Sequence, residues 1–215
     1  MTAGHFEVAH LDELQRFDGE IVTIPVRIPL GITSFGVNAY AAGKGGEVIE
    51  EHDELGAGAG RHEELYYVVR GHASFELDGS EVDAPAGTLV FVRDPAVRRH
   101  ATAQTPDTTV LVVGGVPGQA FEPSPWEAWL EALPHFEARE YHRAVEVMAR
   151  ALERHPDNYN VLYNLACSEA RAGEVDAALE HLNRAVELEP RAREWAQADE
   201  DFDSIREDPR FPRGR

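Results

Sequence analysis

The sequence predicts two domains of different class, an antiparallel β-barrel followed by a short stack of α-helices, and three observations carry that expectation. From Ile21 to Gly114 the chain is a series of short β-branched and aromatic runs, each bounded by Gly, Pro, Asp or Ser, as in a sandwich or barrel. From Ala144 to Pro190 small and apolar residues recur at a displacement of 34 positions, which is the mark of stacked helical repeats. Between the two, Pro117 to Pro125 holds Gly118, Pro123 and Ser124 and has the composition of a linker. The expected bounds are 1–118 for the barrel, 119–134 for the linker and a tryptophan-bearing helix, and 135–215 for the repeats.

Taken in order, Val8, Leu11, Leu14 and Phe17 fall at helical spacing and predict a short N-terminal helix that Gly19 stops. Strands are expected at 21–28, 32–41, 47–51, 62–69, 73–77, 89–92, 98–103 and 109–114. The Gly/Ala run from Gly56 to Gly60 carries no side chain able to pack and reads as a hairpin that lays 62–69 beside 47–51. Asp78-Gly79, between Phe75 and Val82, is the signal of a two-residue hairpin. The strand at 21–28 is placed at an exposed edge suited to pairing with a second copy. Ser124-Pro125 then predicts a capped helix start, with Trp126, Trp129, Leu130 and Leu133 on the face that packs against the barrel or the first repeat.

The net charge of −19 is shared by both halves: 18 acids against 8 bases in residues 1–120, and 21 against 12 in 121–215. Such a field repels phosphate backbones and anionic lipid, which argues against nucleic-acid and membrane partners. One cysteine, Cys167, excludes an intrachain disulfide and fits a reducing compartment. Met1 to Glu20 lacks the basic flank and apolar run of a signal peptide, and no stretch approaches the ~20 apolar residues of a membrane span. A soluble, cytoplasmic protein is expected.

Chemistry concentrates in two segments. His52 and Glu54 are two apart, as are His62 and Glu64, and residues so spaced on a strand share a face. Glu64 is followed after six residues by Gly71; downstream, Gly79 is followed by Pro85-x-Gly87, then Pro95, with His100 five residues on. Over roughly residues 30–115 this spacing resembles the two motifs of the cupin superfamily. Val97 and Gln104 depart from it, and His52-x-Glu54 stands where two histidines are usual. The resemblance implies a cupin-like barrel, a double-stranded β-helix or jelly roll whose cavity gathers ligands for one metal. It makes Glu64 and His100 the best-placed ligands and His52 the third, with Glu54 or His62 completing the set. One divalent metal, Fe, Mn, Ni or Zn, would suit such donors and would support oxygenase, isomerase or lyase chemistry on a small polar metabolite. Tyr66, on the face of Glu64, is the candidate catalytic acid or hydrogen-bond donor. Without a metal, Glu64 needs a buried counter-charge, and Arg61, Arg70, Arg93, Arg98 and Arg99 are the candidates.

In the C-terminal part Ala144, Met148, Ala151 and Pro156 recur as Ala178, Leu182, Ala185 and Pro190. With Leu165-Ala166 and Gly173 they resemble the tetratricopeptide repeat, although Glu131 and Arg139 stand where Leu165 and Gly173 do one repeat later. Phe202, Ile205 and Phe211 are expected to cap the last helix. Three functions follow: a metal-dependent enzyme with a docking module, a metal-free binding or sensor barrel whose repeats grip a protein or peptide, or a scaffold whose repeats make a homodimer.

Overall fold

The computed structural model describes residues 6–19, 21–56, 59–213, and the chain divides into two compact units, 1–122 and 123–215. Nine strands form the first: β1 (Val22–Pro25), β2 (Gly36–Ala42), β3 (Glu47–His52), β4 (Glu63–Arg70), β5 (His72–Leu77), β6 (Ser80–Pro85), β7 (Leu89–Val92), β8 (Arg99–Ala103) and β9 (Thr108–Gly115). They make a five-stranded sheet in the order β1-β2-β9-β4-β7 and a four-stranded sheet in the order β3-β8-β5-β6. Every pairing is antiparallel. The two sheets resemble the cupin fold, with Val48, Tyr66, Val68, Phe75, Ala101 and Val110 among the residues of the core.

Side-chain alternation explains which residues fill that core. Tyr66 and Val68 of β4 are buried between an exposed Tyr67 and a half-buried Val69, as the two-residue period of a strand requires. Asp78 and Gly79 both take positive φ, 48° and 79°, and close a two-residue turn between Leu77 and Ser80. β6, which this turn introduces, pairs with β5 from end to end. Gly71 at the end of β4 has φ of 75°, and a Cβ there would sit 2.6 Å from Thr108 Cα; the position requires glycine both for its backbone and for its contact.

Two expectations for this first unit are corrected. The N-terminal segment is no full helix but a single 3-10 turn, Leu11–Glu13. Leu11 and Leu14 nonetheless pack against Ile24, Ala39 and Ala41, so the apolar spacing reports burial rather than helix. The Gly56–Gly60 run, of which 57 and 58 lie outside the described residues, is not a hairpin, because β3 and β4 belong to different sheets.

The second unit holds α1 (Glu127–Glu137), α2 (Tyr141–Arg154), α3 (Tyr159–Ala172), α4 (Val175–Leu188) and α5 (Ala192–Ala198). α2 and α4 begin and end 34 residues apart, from 141 to 175 and from 154 to 188. Ala144, Met148 and Ala151 are fully buried, as are their counterparts Ala178, Leu182 and Ala185: small residues recur because the helices approach closely there. The tryptophan-bearing helix α1 packs Ala128, Ala132 and Trp129 against this same helical core. Its first residue is Glu127 with no side-chain cap, so Ser124 does not act as the N-cap; the helix also runs through Pro134. Asn158 caps α3 by accepting from Val161 N at 3.1 Å. Phe202, Ile205 and Phe211 are buried on α3 and α4. Among the described residues no helix is long and apolar enough to cross a membrane.

Candidate functional site

Beside the apolar core of the barrel, side chains from both sheets meet in one charged cluster. Glu64 and Tyr66 point in from β4, opposite Val92 and Val90 of β7. From the other sheet come His52, the last residue of β3, and Arg99, the first of β8, which are paired with each other. The β3–β8 register shifts between Ile49 and His52, and such a bulge re-aims the side chain that follows it.

Glu64 is the hub of the cluster. Its Oε2 accepts a hydrogen bond from the Tyr66 hydroxyl and lies 3.6 Å from His52 Nε2 and 3.8 Å from Arg99 Nε. Burial alone would raise its pKa, yet His52, Tyr66 and Arg99 together hold the carboxyl below its ordinary value. Tyr66 is almost fully buried, edge-on to Phe75 with ring centroids 5.5 Å apart. Burial and the neighbouring carboxylate push its pKa well up, so it is a hydrogen-bond donor, and its proton is directed to Glu64.

His52 remains about one-third exposed and marks the open side of the cluster. Its Nδ1 donates to Glu50 O at 2.7 Å, which directs Nε2 toward Glu64 and toward Glu54 Oε1, 3.8 Å away. Burial opposes a charge on the ring, but the Glu64 carboxylate and the Glu50 carbonyl outweigh it and raise the pKa.

Glu54 plays two parts. Its Oε2 accepts from Gly60 N at 2.9 Å and His62 N at 3.2 Å, and its own amide donates to Pro95 O at 2.8 Å. One oxygen thus fixes the connection between the sheets while the other faces His52. His62 is buried elsewhere, its ring 5.7 Å from that of Phe121. A Cβ on Gly60 would fall 2.3 Å from this imidazole, so any larger residue there would have to displace the ring.

His100 does not join the cluster. It lies on the opposite face of β8 from Arg99, paired across the sheet with Glu76 and 3.2 Å from Glu47 Oε1. The inward position belongs to Arg99, whose side chain is completely buried. Of the other candidate arginines, Arg70 meets Asp12, Arg98 meets Glu51 at 2.7 Å, Arg93 lies over the Phe91 ring and Arg61 is exposed.

Could these residues hold a metal? Ligand atoms of His52, Glu54 and Glu64 all lie within 4.8 Å of one another, a plausible donor set for a divalent ion. Arg99 opposes it. Coordination at Glu64 Oε2 would bring a dication beside a permanently charged guanidinium whose Nε is 3.8 Å from that same oxygen. At ~4 Å two like unit charges repel by about 4 kcal/mol at an effective dielectric constant of about 20, and a dication doubles that. The residues as arranged do not suit a divalent cation.

Two other features are accounted for. A cavity of ≈ 290 Å³ is lined in part by Arg16, Arg70, Asp107 and Thr109 and by none of the cluster residues. Its arginines are engaged, Arg70 with Asp12 and Thr109 Oγ1, Arg16 with Asp12. In the helical unit Cys167, Asp199 and Asp201 also converge. Asp199 Oδ2 accepts from Tyr163 at 3.0 Å and from Cys167 at 3.7 Å, and Asp201 faces Arg171 at 3.5 Å. Burial keeps Cys167 a thiol and, with Asp199, lifts Asp201 to about 6.

Fold and site together define a cupin-like barrel followed by tetratricopeptide-type helices. Residues 123–203 match the tetratricopeptide repeat family. Among solved structures, the chain is similar to KdgF from Halomonas sp., at 17% identity over 56% of this chain and 96% of that one, TM-score 0.41. It is similar also to an RmlC-like cupin from Desulfovibrio desulfuricans, at 24% identity over 51% and 96%, TM-score 0.42. A sugar phosphate isomerase of the cupin superfamily from Silicibacter pomeroyi is similar at 18% identity over 50% and 74%, TM-score 0.42. Comparison with curated proteins returns no match.

Proposed function

We propose that the first unit is a metal-free barrel that binds a small polar molecule at the cluster of His52, Glu54, Glu64, Tyr66 and Arg99, and that the helical unit docks a protein partner. The observation that carries the first part is the gathering of five ionisable side chains, His52, Glu54, Glu64, Tyr66 and Arg99, beside the apolar core, with His52 one-third exposed to solvent. Buried charge is costly, and such concentrations mark sites of binding or chemistry. In this reading His52 Nε2 and Glu54 Oε1 meet the ligand, while Tyr66 acts through Glu64 by holding its carboxylate. The His52–Glu64 pair can pass a proton between imidazole and carboxylate, which would extend binding to isomerase or lyase chemistry. For the second part, the support is the match of residues 123–203 to a repeat family. A two-repeat surface is small, so its affinity for a peptide is modest.

The experiment is a thermal-shift survey of the full chain with sugars, polyols, amino acids and hydroxy acids. One class is expected to raise Tm, and His52→Ala, with an unchanged circular dichroism spectrum, is expected to abolish the rise. No response to any class, or an equal response in the variant, overturns the reading. A second reading keeps a divalent ion at His52, Glu54 and Glu64, on the ground that their ligand atoms converge within 4.8 Å. Elemental analysis of protein purified without chelator decides between them: stoichiometric metal that disappears in His52→Ala favours the second.

A further inference from the structure

We infer that Arg99 is the anchor of an oxyanion, a carboxylate or phosphate group carried by the small molecule that the barrel binds. The inference deepens the reading above and rests on it. Arg99 is fully buried, and none of its three nitrogens, Nε, Nη1 or Nη2, finds a hydrogen-bond acceptor. Among the described residues the only other buried side-chain nitrogen so placed is Arg193 Nε, a single atom. A guanidinium presents up to five N–H donors in a planar fork and keeps its charge at any physiological pH. Buried donors are satisfied in folded proteins with few exceptions, and a whole unsatisfied fork points to a partner from outside the chain.

The neighbouring side chains do not supply that partner. Glu64 Oε2 is 3.8 Å from Nε, beyond a hydrogen bond, and it is already committed to Tyr66 and beside His52. Glu54 is tied by Oε2 to two backbone amides. A water molecule would satisfy one or two donors and bring no charge, whereas a carboxylate or phosphate matches two parallel N–H groups of the fork and carries the countercharge. The chain's net charge of −19 gives an anion no general attraction, so recognition has to be local, at this side chain.

The test is calorimetric titration and thermal shift of the full chain with acetate, malonate and inorganic phosphate, with glycerol and glucose as uncharged controls. The expected result is stabilisation by an anion and not by the controls, the choice between carboxylate and phosphate being read from which anion binds. Affinity should fall roughly tenfold to a hundredfold in Arg99→Gln, the range for losing a charge-assisted pair of hydrogen bonds. Arg99→Lys, which keeps charge without the fork, should recover part of it. If Arg99→Gln does not fold, the Nε–Hε resonance of Arg99 in the wild-type chain, assigned through Arg99→Lys, replaces it and is expected to shift on titration with the binding anion. Equal anion affinity in wild type and Arg99→Gln, an unmoved Nε–Hε resonance, or stabilisation by the neutral controls alone overturns the inference; in the last case the ligand-binding reading survives. No response to anions or neutral molecules overturns both.

Discussion

Each of the two units buries charged groups, and they do so in opposite ways. In the helical unit Glu169 of α3 is nearly inaccessible, and both its oxygens face His181 Nδ1, at 2.8 and 3.0 Å. Asp199 is likewise saturated by Tyr163, Cys167 and the amide of Asp201. These networks are closed: donors and acceptors balance, and the result is a fixed helix packing. In the barrel Glu64 accepts a hydrogen bond from Tyr66, whereas none of the nitrogens of Arg99, beside it, has a partner. A closed network holds a fold together; an open one leaves capacity for something that arrives later.

Removing one member from each network tests that contrast most strongly. Glu64→Gln keeps the shape of the side chain and strands the buried guanidinium, so the barrel should lose about 3 kcal/mol, the cost of breaking a buried ion pair from one side. Glu169→Gln should cost the helices only about 1 kcal/mol, because His181 is one-quarter exposed and can release its proton. The two transitions can be read separately in urea. All three tryptophans, Trp126, Trp129 and Trp195, lie in the helical unit, so their fluorescence follows the helices, while the far-ultraviolet strand signal follows the barrel. Equal losses would erase the distinction.

A pH series sharpens it. Glu64 is depressed on folding, so its contribution is present above about 4.5 and is lost as pH falls through its lowered value. His52 is raised, so its contribution is present below 6.5 and is lost as pH rises through its elevated value. In the helices three partly buried groups are raised: Asp201, lifted to about 6 from 3.8 by burial, Glu169 by burial against the pull of His181, and His181 by Glu169. Each favours the folded state more as it takes up its proton, so these contributions grow as pH falls. Between pH 6.5 and about 4.5 these groups should leave the barrel transition nearly unchanged while strengthening the helical one, and below about 4.5 the barrel should weaken as Glu64 takes up its proton; parallel shifts of the two would contradict the assignment. The smallest effect lies at the α1–α2 turn, where Arg139 has φ of 60° at the position that Gly173 fills, with φ of 82°, one repeat later. Arg139→Gly should stabilise the helical transition by up to about 1 kcal/mol, the cost of a left-handed residue with a side chain.

Much of this architecture was legible in the residues, and the exceptions have causes. Strand alternation placed Glu64 with Tyr66, and the 34-residue recurrence placed the buried faces of α2 and α4. His100 was expected inside because motif spacing counts residues without knowing the bulge between Ile49 and His52 or the course of the turn at Pro95. On a strand, an error of one position exchanges the two faces. The correct parity had a signal: Ala101 and Ala103, small and apolar, alternate with Thr102 and Gln104, and Arg99 shares the phase of the alanines. The 3-10 turn at Leu11 was misjudged for the opposite reason, since apolar spacing records which side chains are covered and leaves the backbone conformation undetermined.

The two-sided use of Glu54 has a consequence for how the barrel would respond to change. Because one oxygen clasps the amides of Gly60 and His62 while its twin borders His52, the backbone at residues 60–62 and the charged cluster are joined through a single side chain. A change at Gly60 would therefore be felt at His52 as well as in the connection itself.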